Sequence, residues 1–532
     1  MNRRILYHEA SRSHQQRIKK KITDTLSTIQ NEILEPHGLK FKRIEIDANA
    51  QERIDNFKCE ILLNHVDTIP LIPIRRVIYI KDKHNISDVT YKNLRSKLKL
   101  QLPSLVKLKS ERRLYDQMIN IKQNSKGVYL NIEQKLKLLI PKIKANFIDQ
   151  SSNILHIKFS ADGAQIIKQK SFLNFTFTIL NEGKIAESAN GNYTCGIYDI
   201  SKEDYETLVV CFAEIQLEID NLNEIDIDGI EYKIEKYIAG DLKMLANIYG
   251  IKQANANCPC IWCVWDKRKL ANIDIKAVEE EIKREWSIVN KEKGARSIED
   301  SLSSTGLNGY AAAPIFKIPF HRIVVDVLHL FLRITDVLYE LFISDLKELD
   351  GKQNNQVDLS KQPHLRQFFN NLTTIYQIRR PFYVNGKELK LRDLLGPEKK
   401  KLFSNVDLKI YAPNNPKIVS VNQLWTDFMA IFTEIKKDGI NKDIVKVKTK
   451  QWLISFSELY RASHITPYMH CFGNHLHEFI DLHGGVNQFN LEGLEKLNHL
   501  THSHVFRATN MHSDYLTQIL KKRNRIEVTC RD

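Results

Sequence analysis

Between residues 153 and 249 the hydrophobic period of the chain changes in a definite order, and this order constrains the fold more than any other feature. Residues 153–160 (NILHIKFS) alternate apolar and polar side chains, as a half-buried strand does, residues 172–180 (FLNFTFTIL) indicate a second strand, and residues 193–200 are a candidate for a third. Helical spacing follows over residues 202–222, and a fourth alternating stretch at 229–239 leads into a second helix at 242–249. The order β-β-β-α-β-α predicts an α/β fold.

Three antiparallel strands, a crossover helix and a parallel fourth strand are typical of a ribonuclease H-like core. A right-handed crossover places the fourth strand beside the first. Asp162 follows the first strand in an Asp-Gly pair that indicates a turn, and Asp241 follows the fourth strand. The pattern therefore predicts two carboxylates at neighbouring strand ends, although an Asp-Gly pair alone indicates only a turn.

Paired carboxylates at strand ends are suited to phosphoryl chemistry. They can hold divalent cations that stabilise charge on the attacking and leaving oxygens and help to make a water or a 3′-hydroxyl nucleophilic. A third carboxylate is expected from a late helix, where NLEGLEKLNHLTHSHVF places four polar residues on one stripe: Glu492, Glu495, His499 and His502. The spacing leaves either glutamate open, and a solvated helix face is the alternative interpretation.

A short cysteine cluster indicates a metal site. The segment NCPCIWC contains Cys258, Cys260 and Cys263, and Cys260-x-x-Cys263 has the spacing of a zinc knuckle. Half of the histidines lie close together near the end of the chain, where YMHCFGNHLHEF offers His470 and His475. Zinc held by four such ligands would be structural, because no position is left for water. Cys258 could replace one of the other thiolates, and reduced buried cysteines beside a histidine-rich surface are the alternative without metal.

The net charge of +15 is concentrated at the start of the chain. Residues 1–150 contain 30 Lys and Arg against 16 Asp and Glu, whereas residues 151–532 contain 49 against 48. Residues 1–35 have the spacing of a basic helix that ends near Pro36. A basic region joined to a neutral one indicates a module that binds a polyanion such as nucleic acid. A lysine-rich composition without that function is the alternative.

Composition and patterning exclude several classes of protein. With 532 residues, 42% of them hydrophobic, the chain can bury sizeable cores, and its eight cysteines do not form a disulfide framework. The basic start has no apolar segment of the kind found in a secretory signal. The most apolar stretch, residues 323–343, is interrupted by Asp326, Arg333 and Glu340, among others, and predicts a buried amphipathic helix. A soluble, intracellular protein is expected.

Five separated motifs resemble, in order, the Transib transposase and V(D)J recombinase catalytic-subunit family. They are FSADGAQI, GIEYKIEKYIAGDLKML, NCPCIWC, RIVVDVLHLFLRITDVLYELF and ITPYMHCFGNHLHEFIDLHGGVNQFNLEGLEKLN. The resemblance runs from about Asp162 to about Asn510. Its most specific part is Ile-Thr-x-Tyr-x-His-x₄-His, which is followed by Glu-Gly-x-Glu.

The resemblance implies a DDE-type enzyme that nicks DNA at element ends, forms a hairpin on the flanking DNA and joins the ends to target DNA. It assigns the catalytic carboxylates to Asp162, Asp241 and Glu495, which would hold two Mg²⁺ ions that Mn²⁺ can replace. Asp326 and His329 match the family's Asp-x-Leu-His segment and would support the active site. A capped, buried helix with one satisfied histidine is the alternative for that pair.

For the metal cluster the resemblance selects Cys260 and Cys263 over Cys258, with His470 and His475 completing one structural Zn²⁺ site. It also implies a homodimer that holds two DNA ends, with terminal inverted repeats and target DNA as partners, no membrane, and action in the nucleus. An accessory subunit is not specified. The first 150 residues show no RING-type array of cysteine and histidine, so ubiquitin ligase activity is not implied.

The predicted organisation has four parts: a basic, mainly helical DNA-binding and dimerisation region (1–150), the first part of the ribonuclease H-like core (151–250), a long, mostly helical zinc-binding insertion (251–484), and the completion of the core with the catalytic glutamate helix and a basic tail (485–532). Two other functions remain open from the sequence. One is a catalytically inactive, domesticated transposase that acts as a zinc-stabilised DNA-binding scaffold. The other is a metal-dependent nuclease without a joining step.

Overall fold

The computed structural model of the chain describes residues 39–46, 57–63, 72–97, 102–167, 170–270, 275–351, 362–385, 388–509 and 514–531, with the isolated positions 27 and 31. Its strands are β1 (Leu39–Ile46), β2 (Phe57–Leu63), β3 (Ile121–Gln123), β4 (Gly127–Leu130), β5 (Ile154–Ile167), β6 (Lys170–Ile179), β7 (Asn192–Ile200), β8 (Glu224–Ile227), β9 (Ile230–Gly240), β10 (Ile323–Val325), β11 (Phe382–Asn385) and β12 (Glu388–Leu391). Its helices are α1 (Ile74–Lys83), α2 (Asp88–Lys97), α3 (Leu105–Gln117), α4 (Ile132–Ile143), α5 (Tyr205–Asn221), α6 (Leu242–Ile248), α7 (Ile275–Lys283), α8 (Ile298–Ser303), α9 (Val327–Leu349), α10 (Pro363–Thr374), α11 (Gly396–Asn405), α12 (Ile418–Glu434), α13 (Lys442–Leu459), α14 (Pro467–Asn474), α15 (Leu476–His483), α16 (Glu492–Ala508) and α17 (Tyr515–Thr529). The basic helix predicted over residues 1–35 lies, apart from two positions, outside the described residues.

The chain divides into two compact units. The first comprises Met1–Lys122, Gln134–Ile143 and Leu500–Asp532, and the second comprises Gln123–Glu133 and Lys144–His499. Both ends of the chain therefore belong to one unit and its middle to the other. The four-part organisation drawn from the sequence stays a prediction.

The second unit is built on a mixed sheet with the strand order β10-β9-β5-β6-β7-β4. Strands β5, β6 and β7 pair antiparallel, whereas β9 lies parallel to β5 and β10 lies parallel to β9. Leu155, Ile157 and Phe159 of β5 are completely buried, as their alternation predicts. Helix α5 follows β7, and its first turn is capped by the Asp204 side chain. The predicted mixed α/β fold is confirmed.

The turn predicted at Asp162-Gly163 is wrong. Strand β5 continues to Ile167, so that Asp162 lies opposite Asn174 of β6 and Gly163 lies opposite Leu173. Pairing with β6 gives the backbone N–H and C=O groups of this segment their hydrogen-bond partners. That long-range pairing outweighs the local turn preference of an Asp-Gly pair.

Two further segments differ from the predicted helices. The region predicted to be mainly helical, residues 1–150, includes β3 and β4 between α3 and α4, and all four residues of β4 are buried where the strand pairs with β7. Residues 323–343 begin with β10, and only from Val327 onward are they helical. These three strands are short, and β10 is a continuous apolar run. Such runs cannot be assigned to strand or helix from periodicity alone.

Helix α9 lies in the helical part of the second unit and buries one apolar face. Phe331 stacks on Phe432 of α12 at 4.6 Å between ring centroids, and Phe342 meets Trp425 edge-on at 5.8 Å. These contacts join α9 to α12 through side chains rather than through a sheet. In the part of the chain that the structure describes, no helix combines the length and apolar content that a membrane crossing requires.

In the first unit, helix α17 packs against α1 and α3. Three of its four basic residues, Lys522, Arg523 and Arg525, are buried and paired. Arg525 donates to Asp82 at 2.6 Å and to Asp116 at 2.5 Å, and Glu527 lies 2.5 Å from the Lys135 ammonium group. The basic residues of the C-terminal segment thus help to hold this unit together.

Candidate functional site

Three neighbouring strands each place an aspartate at the same level of the sheet. The parallel register pairs Ser160 of β5 with Ala239 of β9. Asp162 and Asp241 each lie two residues beyond this pair, and so they are level with each other. The register also pairs Gly240 with Val325 of β10, so Asp241 and Asp326 are each one residue further along. Because neighbouring strands lie about 4.8 Å apart, the three backbones bring their carboxylates to one edge of the sheet.

Asp162 is mostly buried and fixed through one oxygen. Asn498 of α16 donates to Asp162 Oδ2 at 2.5 Å, and Asn174 of β6 donates to the Asn498 side-chain oxygen at 2.8 Å. Burial raises the pKa of Asp162 to about 8, and the charge of Glu495 adds to the shift. The carboxylate therefore lies in an excess of negative charge.

Asp241 follows β9 and caps helix α6, where its Oδ1 accepts the Lys243 N–H at 3.3 Å. The Tyr468 hydroxyl donates to the same oxygen at 2.5 Å and accepts the Leu242 N–H at 3.0 Å. Within the described part of the chain, the second oxygens, Asp162 Oδ1 and Asp241 Oδ2, accept no hydrogen bond. Each aspartate thus has one oxygen fixed and one available.

Asp326 and His329 form a tight buried pair at the start of α9. The Asp326 carboxylate accepts the N–H groups of Leu328 and His329 and the His329 Nδ1–H at 2.5 Å. Burial opposes the charged imidazole, but the bond to Asp326 and the charges of Asp326, Asp241 and Asp162 raise the pKa of His329 to about 9. A cationic imidazole therefore lies among the carboxylates.

Glu495, in the first turn of α16, lies beside this imidazole. Its Oε1 is 3.9 Å from His329 Nε2. Burial raises the pKa of Glu495, the charges of Asp326 and Asp241 add to the shift, and His329 opposes it. Glu492 lies elsewhere, with its Oε1 3.6 Å from the Lys436 ammonium group.

Lys158 and Glu203 are among the residues that hold this region and were not predicted from the sequence. Lys158 of β5 is completely buried, and its ammonium group donates to the carbonyl oxygens of Asn490 at 3.1 Å and Gln488 at 3.4 Å. The Leu491 N–H donates to Asp326 at 2.9 Å. The segment just before α16 is thus held from β5 and from the start of α9. A lysine in an alternating strand carries no signal for such a contact, because the partner carbonyls lie more than 300 residues away.

Glu203 is the second residue that was missed. A Cβ at Gly163 would overlap its carboxylate, so the glycine leaves room for Glu203 beside Asp162. Glu203 also lies 3.1 Å from the Lys243 ammonium group, and its charge adds to the raised pKa of Asp162. Only the position of Glu203, just after the third strand, could have pointed to it.

A cavity of about 500 Å³ opens beside Asp241. Its wall includes Lys243, Arg333 and Tyr468. Asp336, Glu340 and Asp393 also line it, so with Asp241 the acidic side chains around this space outnumber the two cations.

The four predicted metal ligands come together in a second cluster. Cys260, Cys263, His470 and His475 are all buried, and their ligand atoms lie within 4.8 Å of one another. Among the described residues, this is the only such group of three or more His, Cys, Asp or Glu side chains. Cys258 lies outside it, and its carbonyl oxygen accepts from Arg296 at 3.3 Å.

The spacing within the cluster fits a tetrahedral zinc site. Cys260 Sγ is 3.5 Å from His475 Nε2, and Cys263 Sγ is 3.3 Å from His470 Nε2. Typical Zn–S and Zn–N bond lengths at a tetrahedral angle place sulfur and nitrogen about 3.6 Å apart. Two thiolates and two imidazole nitrogens are also the donor set of structural zinc sites.

Neighbouring side chains fix the other nitrogen of each imidazole. His475 Nδ1 is 3.1 Å from Glu478 Oε2, and Glu478 also accepts from the Ser287 hydroxyl at 2.6 Å. His470 Nδ1 is 3.2 Å from the Asn474 side-chain nitrogen, and the His470 ring stacks on Trp265 at 4.1 Å. Both imidazoles therefore direct Nε2 toward the cysteines. Burial opposes thiolate formation, but a hydrogen bond from Cys263 and the charges of both imidazoles hold the pKa of Cys260 well below its usual range.

The chain matches no established protein-family description and no curated protein. Among solved structures it is similar to the Drosophila P element transposase strand transfer complex. The two chains are 10% identical, the alignment covers 96% of this chain and 98% of that chain, and the TM-score is 0.38.

Proposed function

We propose that the chain is a DDE-type transposase or recombinase that nicks DNA at element ends, forms a hairpin and transfers the strand to target DNA. One observation carries the proposal. Asp162 and Asp241 stand at the same level of adjacent parallel strands, and the charge of Glu495 reaches both from helix α16. The strand order in the sheet supports a ribonuclease H-like core.

Asp162, Asp241 and Glu495 would hold two Mg²⁺ ions, which Mn²⁺ can replace. Hard oxygen donors suit these cations, and among the residues that the structure describes nothing donates to the second oxygen of Asp162 or of Asp241. When bound, such ions stabilise charge on the attacking and leaving oxygens of a phosphodiester. They would also oppose the burial and the carboxylate repulsion that together raise the pKa of Asp162 and of Glu495.

The chain's own residues set the geometry. Asn498 and Tyr468 each fix one aspartate oxygen, and Asp326 holds both His329 and the segment before Glu495. His329, as a cation, limits the repulsion between the carboxylates. Lys243 and Arg333 are the cations at the cavity beside Asp241, and they would bind a phosphodiester by exchanging their present partners, Glu203 and Asp336.

The Cys/His cluster would hold one structural Zn²⁺. It joins residues 260–263 to residues 470–475 and leaves no ligand position open. A homodimer that holds two DNA ends, binding of inverted repeats and target DNA, and action in the nucleus are part of the same proposal.

Nicking of supercoiled plasmid with Mg²⁺ or Mn²⁺ tests the proposal. We expect the wild-type chain to nick, and Asp162→Asn and Glu495→Gln to be inactive with DNA binding retained, because each loses a metal ligand. Glu492→Gln is the matched control and should remain active, since Glu492 pairs with Lys436. A dead Glu492→Gln variant with an active Glu495→Gln variant would contradict the assignment. A pre-cut end with a free 3′-hydroxyl then separates a transposase from a nuclease that cannot join strands.

A zinc-stabilised DNA-binding scaffold without catalysis is the second candidate. Two observations favour it. Asp162 and Asp241 already use one oxygen each in protein hydrogen bonds. The carboxylate oxygens of Asp162, Asp241 and Glu495 are also spread more widely than the ligand atoms of the Cys/His cluster. DNA binding without nicking in either metal, by wild type and Asp162→Asn alike, would favour this candidate.

A further inference from the structure

Helices α1 and α2 of the first unit are joined by a short, sharply defined turn. Four residues, 84–87, separate Lys83 from Asp88. Asn85 has φ +53°, the left-handed conformation that few residues other than glycine and asparagine adopt readily. Two helices joined by three or four residues, one of them suited to positive φ, are typical of a helix-turn-helix.

Buried contacts fix the turn between α1 and α2. The ammonium group of Lys81, which is 5% exposed, donates to the Ile86 carbonyl at 2.5 Å and lies 2.9 Å from Asp88. Asn85 accepts from Lys522 of α17. Ile80 of α1 and Tyr91 of α2 are both 3% exposed, so each helix contributes to the core of the unit. The angle between the helices is therefore set by the unit as a whole.

The outer face of α2 has the side chains of a surface that binds base edges. Its exposed or partly exposed positions include Val89, Thr90, Lys92, Asn93 and Ser96, together with Leu94 and with Arg95, which donates to the Leu102 carbonyl at 3.0 Å. Asp88 is the one acid in the helix, and Lys81 and Lys109 pair with it at 2.9 and 2.8 Å. Asparagine can pair with adenine and lysine with guanine in the major groove.

Exposed cations also lie on the two neighbouring helices in sequence. Arg75 lies on α1, and Lys107 and Arg113 lie on α3. Cations outside a reading helix can bind phosphates and so position a protein without reading sequence. The charge of α1–α3 therefore favours a polyanion.

We propose that α1 and α2 form a helix-turn-helix that binds duplex DNA, with α2 in the major groove. Thr90, Lys92 and Asn93, in the first part of α2, would contact base edges, as the second helix does in such elements. Arg75, Lys107 and Arg113 would contact phosphates. This inference deepens the proposed DNA-processing function by naming the surface that selects the sequence.

Selection from a library of random duplexes tests the inference with the full chain and no added divalent cation, so that no cleavage occurs. We expect the wild type to enrich a short motif. The double variant Thr90→Ala, Asn93→Ala should lose preference for that motif over random DNA by roughly 5- to 150-fold per base pair read. Lys122→Ala, an exposed lysine outside α1–α3, is the matched control and should select the wild-type motif.

Arg75→Ala provides a second measurement. It should weaken binding to all duplexes alike and lower the slope of log affinity against log salt by about one. Melting temperatures equal to that of the wild type would show that the exposed substitutions leave the fold intact.

The inference is overturned if the wild type selects no motif, or if the double variant selects the wild-type motif with the same preference. It is also overturned if the double variant changes the oligomeric state by light scattering and leaves DNA selection unchanged, because α2 would then bind a second copy of the chain. Motif selection without plasmid nicking would refute the proposed enzyme and leave this inference standing. Plasmid nicking by the wild type, together with selection of the wild-type motif by the double variant, would overturn this inference and leave the proposed enzyme standing.

Discussion

Tyr468→Phe tests whether the helix that carries His470 also positions Asp241. The Tyr468 hydroxyl donates to Asp241 Oδ1 at 2.5 Å and accepts the Leu242 N–H at 3.0 Å. Burial, together with the Asp241 charge, raises the pKa of Tyr468 well above its usual value, so the phenol remains a donor at neutral pH. Phenylalanine keeps the ring and removes both bonds.

The size of the effect follows from the type of bond. A hydrogen bond to a charged group contributes about 1.5–3 kcal/mol. If that free energy is what holds Asp241 in position for a cation, the loss corresponds to roughly a 10- to 150-fold weaker metal affinity. We therefore expect the Mn²⁺ concentration for half-maximal plasmid nicking to rise by that factor, and direct Mn²⁺ binding by electron paramagnetic resonance to weaken in parallel. Zinc content and DNA affinity should not change.

Tyr460→Phe is the matched control. Tyr460 is 8% exposed and donates to Asp345 at 2.8 Å, so its loss removes a comparable buried bond in another part of the second unit. We expect a lower melting temperature with an unchanged Mn²⁺ dependence. The reasoning is refuted if Tyr468→Phe binds Mn²⁺ as the wild type does, or if Tyr460→Phe shifts the Mn²⁺ dependence to the same extent.

The other predictions concern the Cys/His cluster and the first unit. Cys260→Ser should lower zinc content and melting temperature together, whereas Cys258→Ser should retain one zinc per chain. Metal analysis and thermal melting measure these two quantities. Full zinc content in Cys260→Ser would contradict the ligand set. Glu478→Gln should weaken zinc retention by about 10- to 100-fold in a chelator competition, because it removes the carboxylate that fixes His475; unchanged retention would be evidence against that role. Burial lowers the pKa of Lys522 from 10.5 to about 7. Between these two pH values the unfolded chain binds a proton that the folded chain lacks. The free energy of unfolding therefore rises with pH, by at most about 1.4 kcal/mol per pH unit. Lys522→Met should remove this rise in urea unfolding measured from pH 7 to pH 9, and an identical slope in the variant would refute it.

The features that local pattern determines could be predicted from the sequence. The alternation in β5 predicted a strand because Leu155, Ile157 and Phe159 face one core. The Cys/His cluster could be predicted because few residue types bind zinc, so two short motifs indicate the site; the choice of Cys260 and Cys263 over Cys258 came from the family resemblance. In both cases the residues that carry the signal are those that make the contact.

The rest depends on contacts that only the folded chain creates. Asp162 was predicted in a turn because an Asp-Gly pair favours one locally, yet pairing with β6 extends the strand past it. Lys158 is buried beneath carbonyl groups of a segment far along the chain, and nothing in its own surroundings indicates this. Asn498 could have been found, since it lies three residues after Glu495 on the same helix and so shares its face.

The two clusters are joined through a short helix. Tyr468 and His470 both belong to α14, so one side chain of this helix holds Asp241 and another lies in the Cys/His cluster. Displacing His470 would move the Tyr468 hydroxyl, because an eight-residue helix moves as one body. Coupling between two binding sites is reciprocal, so a divalent cation at the carboxylates should strengthen zinc binding by the factor with which zinc strengthens cation binding. The zinc affinity of the wild type should therefore differ between measurements with and without Mg²⁺. In Tyr468→Phe the two zinc affinities should be equal, because the hydrogen bond that links α14 to Asp241 is lost while both sets of metal ligands remain.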